Sequence, residues 1–591
     1  MLDQFTIVTD PAGGSVALSA LFAVLPLLTL FILLGALRVR AWLAGVIALA
    51  VALVIAVAVY AMPVGQALLS ASEGAAFGFF PILWIVLNAI WVYNLTVASG
   101  HFDVLRRSMA RLSPDMRIQA VIVAFCFGAL LEALAGFGTP VAVTVVMLMA
   151  LGFPPLRAAS VALIANTAPV AFGALATPIV TLGTVTSGAV DDPRLNPDTL
   201  GAMVGRQTPL LAVVVPLVLV LVIDGRRGVR QTWPAAVVAG VVFAAAQFLA
   251  SNYISVPLTD IIAALLAAAA VVLLLRFWHP VESPDLRAAE PDKAGAEAQR
   301  AEAPRSEAQR AEPQRAGVSP GRTAGAGAGG GPADDRLERD DSGAEVARAY
   351  APYLIIIAIF SVANIGAVKS ALAGSPWTVT FGWPGLDILG TNGKPLASTT
   401  FTLGWLGAAG TLMILAGLLT ALVLRIRPAR ALRAYADTYV ELRHAIVTVM
   451  AVLALAYVLN QSGQTNTLGE FLAQSGGVFL FLSAILGWIG VAVTGSDTSA
   501  NALFGALQVE TAVRAGLDPV LLAAANSSGG VLGKMISPQN LAIAASAVGL
   551  AGREGDIFRK VVGWSLVLLL VMCVLVTLQG TPVLSWMVPG R

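Results

Sequence analysis

Charge is scarce in this sequence: 12% of its 591 residues are Asp, Glu, Lys or Arg, against 57% hydrophobic ones. A chain so composed has too little polar surface to cover itself in water, which argues against a soluble globular protein. Cysteine is limited to Cys126 and Cys573, both inside apolar runs, and there are three histidines. That excludes a disulfide framework and a Cys/His metal cluster, and no motif points to a cofactor. Basic residues are spread over short loops instead of gathered on one patch, which argues against a nucleic-acid partner. The N-terminus, MLDQFTIVTD, has Asp3 and Asp10 and no basic region, so the first apolar run is expected to stay as a helix and not be cleaved.

What is present is a series of apolar runs near 20 residues, the length that crosses a bilayer core. The fold class is therefore an all-α polytopic membrane protein of about 12 to 14 transmembrane helices. Arg38 and Arg40, Arg106 to Arg117, Arg226 to Arg230, Arg425 to Arg433, and Arg553 to Lys560 sit in short connections. Basic short loops mark the cytoplasmic side. This places the N-terminus outside, along with the Val190–Arg206 loop, the Lys369–Thr400 connection and Asn460–Gln474. Pro280 to Arg348 differs in kind, holding 14 acidic and 10 basic residues, imperfect repeats (AEAQR, AEAPR, SEAQR, AEPQR) and a Gly/Ala run. It is expected to be a disordered cytoplasmic linker between membrane halves 1–279 and 349–591.

Two segments break the apolar pattern. One runs from LLEALAGFGTP to ANTAPVAFGALATP, ending at Pro178; the other runs from GWIGVAVTGSDTSAN to ANSSGGVLGKMISP, ending at Pro538. Asn166 lies seven residues before Gly173 and twelve before Pro178, and Asn526 stands at the same spacings from Gly533 and Pro538. The charge rule sends the first segment from inside to outside and the second from outside to inside. The pair therefore reads as an inverted-topology repeat with broken or re-entrant helices at the midplane, a construction that exposes backbone polar groups to a solute. Half-helix N-termini favour an anion. Small residues that let helices pack closely would explain single glycines. They do not explain the amides and hydroxyls, and the substrate-binding set expected here is Gly136, Gly138, Thr139, Asn166, Thr167, Ser496, Thr498, Asn501, Asn526, Ser527, Ser528, Lys534 and Gln539.

Three ionisable residues fall inside these segments, Glu132, Asp497 and Lys534. A charge at a helix centre costs about 2.5 to 3.5 kcal/mol on insertion scales, so such groups pair or serve transport. Lys534 is the expected partner of a substrate carboxylate, with pairing to Asp497 as the competing arrangement. Asp497 and Glu132 are the candidate proton-coupling carboxyls. Asn166 and Asn526 are expected to approach one substrate from opposite sides. Glu510 and Arg514, four apart, read as a helix-face ion pair, and His101 and His444 as interfacial residues.

LLEALAGFGTPVAV with LIANTAPVAFGALATP, and TGSDTSANALFGALQ with AANSSGGVLGKMISPQN, resemble the two most recognisable blocks of the L-lactate permease family of bacterial inner-membrane carriers. The likeness spans most of the membrane part in order and spacing. Ala133-Leu134 departs from the Gly-Ala common after the first glutamate. The resemblance implies proton-coupled uptake of L-lactate, D-lactate and glycolate across the inner membrane, by a carrier and not an enzyme. Two alternatives remain from the residues alone. One is a Na⁺-coupled carboxylate or dicarboxylate carrier, because Ser/Asn/Thr clusters with carbonyls also hold Na⁺. The other is an intramembrane aspartyl protease at Gly495-Ser496-Asp497, which lacks the second aspartate such chemistry requires.

Overall fold

The computed structural model describes residues 4–37, 39–110, 112–136, 138–281, 341–391, 393–550 and 553–590. Among them ten helices are long and apolar enough to cross a membrane, and a further candidate, Pro155–Ala165 with Val170–Thr186, is bent by 64°. Two shorter apolar helices, Thr139–Ala150 and Ala409–Val423, complete the set. This is the polytopic α-helical architecture expected. Large apolar side chains such as Leu21, Val54, Leu422 and Leu570 stand exposed on the perimeter, where a bilayer and not water is their solvent.

The Thr208–Leu249 stretch is two antiparallel helices. It breaks at Asp224–Gly225, where Gly225 has φ +61°, and Gly240 folds back against the carbonyls of Ala212 and Val213. The turn holds Arg226, Arg227 and Arg230, as the loop charges require. The loops segregate to two ends. At one end Gln4 meets Asp387, Lys369 meets Asp198, Arg194 bridges Asp192 and Asp518, and Arg206 reaches Asn252 and the carbonyl of Met587. At the other end Arg107 pairs with Asp341, buried Arg117 binds Asp115 and Asp224, and Trp42 stacks on His444.

The fold is not wholly helical. Phe5–Thr6 pairs with Ile388–Leu389, and Thr378–Gly382 pairs antiparallel with Thr400–Gly404, both in or against the polar connection after residue 369. Most of the Pro280–Arg348 stretch, 282–340, lies outside the described residues. Its end is helical: Gly343–Ala363 starts where Ser342 Oγ accepts from the Glu345 amide and the Glu345 carboxylate accepts from Ser342 N–H, a capping box. The two hydrophobic clusters each draw on both halves of the chain, and Ala41–Ala58 and Val64–Ala98 pack on Pro428–Ser462.

Both motif segments fold into the same sequence of parts, a hairpin followed by a broken helix. In the first, the arm ending Gly128–Ala135 turns at Gly136 (φ +35°) and Gly138 (φ +86°) into Thr139–Ala150. The arms are antiparallel and close, since a methyl on Gly128 would lie 3.1 Å from Thr144 Cγ2. Pro155–Ala165 then breaks across Asn166–Phe172 and continues into Gly173–Thr186, whose first turn is left-handed at Ala174, Leu175 and Ala176. In the second, Phe479–Thr494 turns at Gly495 (φ +75°) into Asp497–Arg514, and Ser483 Oγ donates to Gln508 Oε1 across the hairpin at 2.8 Å. Pro519–Gly533 then breaks at Lys534–Ser537 before Pro538–Ala547. The broken helix of each segment packs on the hairpin of the other: Gly173–Thr186 on Asp497–Arg514, and Pro538–Ala547 on Thr139–Ala150.

Candidate functional site

A cavity of about 610 Å³ opens between the two segments. Its inner wall carries Glu132, Gly136, Gly173, Thr177, Pro178, Ser496, Asp497, Thr498, Lys534 and Gln539, and its outer part carries Arg40, Trp42, Arg443 and His444. The mouth therefore faces the end of the molecule where the basic loops lie.

Lys534 is the first residue of the second break, and Glu132 sits one turn before the Gly136 break of the first hairpin. Both are buried, and Lys534 Nζ lies 2.5 Å from Glu132 Oε1. The other carboxylate oxygen accepts from Asn166 Nδ2 at 3.0 Å. Room for this comes from Gly173, where a methyl would stand 2.8 Å from Glu132 Oε1. One ion pair thus joins the hairpin of segment one to the break of segment two, with the amide of the first break holding it. Lys534 does not reach out to the surface, and its partner is Glu132 and not Asp497.

Asp497 occupies the first turn of Asp497–Arg514, whose N-terminus, capped by Ser496 Oγ at 3.3 Å, points at the cavity. Free N–H groups and the helix dipole there favour an anion. Asp497 Oδ2 accepts from Ser527 Oγ at 2.6 Å and Asn501 Nδ2 at 3.4 Å, while Oδ1 is buried with no hydrogen-bond partner among the described residues. Behind it runs an amide ladder. Asn526 donates to Asn501 Oδ1 (2.9 Å), Gln508 donates to Asn526 Oδ1 (3.2 Å), and Asn501 also donates across to the Pro178 carbonyl (3.1 Å).

Of the residues expected at the site, Glu132, Gly136, Ser496, Asp497, Thr498, Lys534 and Gln539 line the cavity. Gly138, Thr139, Asn166, Thr167, Asn501, Asn526, Ser527 and Ser528 do not. Asn166 and Asn526 belong to separate hydrogen-bond systems, one holding Glu132 and the other holding Asn501. Glu510 and Arg514 make the expected pair at 3.7 Å, with Asn466 donating to Glu510 at 2.7 Å. Sequence reasoning missed Gly173, Ala174, Thr177 and Pro178 as wall residues, although the Thr177-Pro178 match to Ser537-Pro538 signalled them. It also missed the basic mouth, for which a helix face among arginines gives no signal. Two buried carboxyls, Glu73 and Asp260, went unremarked as well, though a lone acid in an apolar run is itself a signal.

Apolar helices around a buried, charged cavity bounded by two hairpins and two helix breaks give the chain the build of a multi-pass membrane transporter. The family model described as L-lactate permease matches residues 19–583, and the chain belongs to that family. An L-lactate permease of Bacillus subtilis strain 168 is 41% identical, covering 99% of this chain and 100% of that protein. One of Escherichia coli K12 is 40% identical over 98% of each. A glycolate permease of the same strain, GlcA, is 39% identical over 96% of this chain and 97% of its own. Among solved structures, the Alcanivorax borkumensis YdaH transporter (16% identity, TM-score 0.41, 87% and 88% of the two chains) and Neisseria gonorrhoeae MtrF (14%, 0.44, 85% and 82%) are more distantly similar.

Proposed function

We propose that this chain takes up L-lactate and related 2-hydroxy monocarboxylates, D-lactate and glycolate, in symport with a proton across the bacterial inner membrane. The names of its lactate and glycolate permease relatives support the substrate class. The observation that carries the coupling is the Lys534–Glu132 pair in the cavity. In the empty site Glu132 neutralises the lysine. A substrate carboxylate takes that place when Glu132 accepts a proton, so the site stays neutral before and after loading.

Magnitudes enforce the coupling. Leaving one member of a buried pair uncompensated costs about 3 to 5 kcal/mol, and each 1.4 kcal/mol is tenfold in an equilibrium constant. Proton without anion, or anion without proton, is thus disfavoured by roughly two to three and a half orders of magnitude. Ser496, Thr498 and Gln539 on the wall are the groups offered to the 2-hydroxyl. Asn166, Asn501, Asn526 and Ser527 act one layer back, fixing the two carboxyls, and Asp497 is the second candidate proton site. Gly138, Thr139, Thr167 and Ser528 belong to the same breaks and hairpins and shape them.

The repeated hairpin-plus-broken-helix order, with each broken helix packed on the other segment's hairpin, supports an inverted repeat that rocks about this site. Loop charge makes the Arg40–Arg443 end cytoplasmic and the cavity inward-open, with the N-terminus outside and the Pro280–Arg348 linker inside. The test is uptake of labelled L-lactate into proteoliposomes. An inward proton gradient should accelerate it well over tenfold relative to no gradient. A rate that responds to sodium and ignores the proton gradient would replace this reading with the Na⁺-coupled one.

A further inference from the structure

We infer that Asp260 is a further proton-holding carboxyl of the transport cycle, set between the turn at residues 251–256 and Glu132. The inference rests on the proton-symport reading above. Asp260 lies in the first turn of Thr259–Leu274 and is fully buried. Gln247 Nε2 donates to its Oδ1 at 3.0 Å, its Oδ2 has no hydrogen-bond partner, and no cation pairs with it among the described residues. A carboxyl at this depth is costly and is retained where it pairs or carries charge. A side chain needed only to accept from Gln247 could be an amide and would leave no oxygen idle.

Its connections lead to the coupling site. Gln247 Nε2 also reaches the carbonyl of Ala168 at 3.3 Å, inside the break whose Asn166 holds Glu132. Thr208 Oγ secures Gln247 from the other side at 3.2 Å. The helix bearing Asp260 packs on the Gly128–Ala135 arm that bears Glu132. On its outward side, Thr259 Oγ donates to the Ser255 carbonyl at 3.3 Å, and half-buried Asn364 donates to Ser255 Oγ at 3.2 Å. Polar groups therefore line the short way from Asp260 to the turn, at the end of the molecule opposite the cavity mouth.

In this scheme a proton from that end adds to the Asp260 carboxylate. It then passes to the Glu132 carboxylate, which restores the Asp260 carboxylate and frees Lys534 for the substrate anion. Proton and substrate would reach the pair by different routes.

The experiment compares wild type, Asp260→Asn and Asp260→Glu in proteoliposomes with labelled L-lactate. Two readouts are taken, accumulation driven by an inward proton gradient and lactate–lactate counterflow without one. Asp260→Asn should lose driven accumulation at least tenfold and keep counterflow within about twofold, and Asp260→Glu should restore driven accumulation. Unchanged driven accumulation in Asp260→Asn beside a coupled wild type overturns this inference alone, as does equal loss of both readouts in a folded Asp260→Asn protein. A wild type indifferent to the proton gradient overturns the parent reading and this one with it. Should Asp260→Asn fail to fold, Asp260→Glu decides: folded and driven upholds the role, and folded and undriven overturns it.

Discussion

Lys534 and Glu132 lie 402 positions apart in sequence and 2.5 Å apart in space, and neither is stable in its place without the other. Lys534→Ala should therefore abolish uptake and also lower stability by about 3 to 5 kcal/mol, because it leaves Glu132 buried with only an amide for company. The double variant Glu132→Gln, Lys534→Met should regain most of that stability without regaining uptake. Thermal unfolding in detergent beside uptake assays reads both effects; full stability in Lys534→Ala alone would mean the pair is not held as described. Both residues were legible as charges in apolar segments, since that alone marks a costly group. Their pairing was not legible, because loop charges fix the direction of a segment and say nothing of which side chains meet across it. The same limit explains Asn526. Its amide matched Asn166 in spacing, yet it spends its hydrogen bonds on Asn501 and Gln508.

At the level of elements, the breaks divide into glycine-made and strained kinds. Gly136, Gly138 and Gly495 take positive φ at little steric cost. The break after Gly173 instead places Ala174, Leu175 and Ala176 at φ +43°, +56° and +59°, a conformation costing about 1 to 2 kcal/mol per residue for side chains with a Cβ. Thr177 Oγ holds the turn by donating to the Ala174 carbonyl at 2.5 Å. Such strain persists where the surroundings over-determine it, which happens most at ligand sites, and Ala174 and Thr177 line the cavity. Ala174→Gly should leave fold and uptake in place, whereas Ala174→Val, β-branched at positive φ, should lower both the melting temperature and the uptake rate. Equal tolerance of the two substitutions would show that the left-handed turn is not required. The Gly-Phe-Gly and Thr-Gly-Ser breaks could be read from their residues. A left-handed run of alanine and leucine could not, because nothing in Ala-Leu-Ala departs from a helix-forming pattern.

On the scale of the whole molecule, loop charge sorts the connections into two sets, and pairs such as Arg107 with Asp341 and Lys369 with Asp198 join connections placed in the same set. Single cysteines placed at Asp198 and at Arg427, in a background with Cys126 and Cys573 replaced, should label from opposite sides of intact cells with an impermeant thiol reagent. Asp198 should be reached from outside and Arg427 only after permeabilisation. Labelling of both from one side would undo the assigned topology. The division into two halves at the linker was read from composition, but the hydrophobic clusters mix the halves, since helices pack by face and not by order along the chain.

The proposed coupling sets a proton on Glu132 together with a substrate anion on Lys534. Its most direct test is Glu132→Gln, which fixes the carboxyl in its neutral form. Labelled lactate counterflow should persist in this variant and become independent of pH, while accumulation against a gradient driven by protons should fall to background. Proton-driven accumulation at the wild-type level in Glu132→Gln would contradict the account.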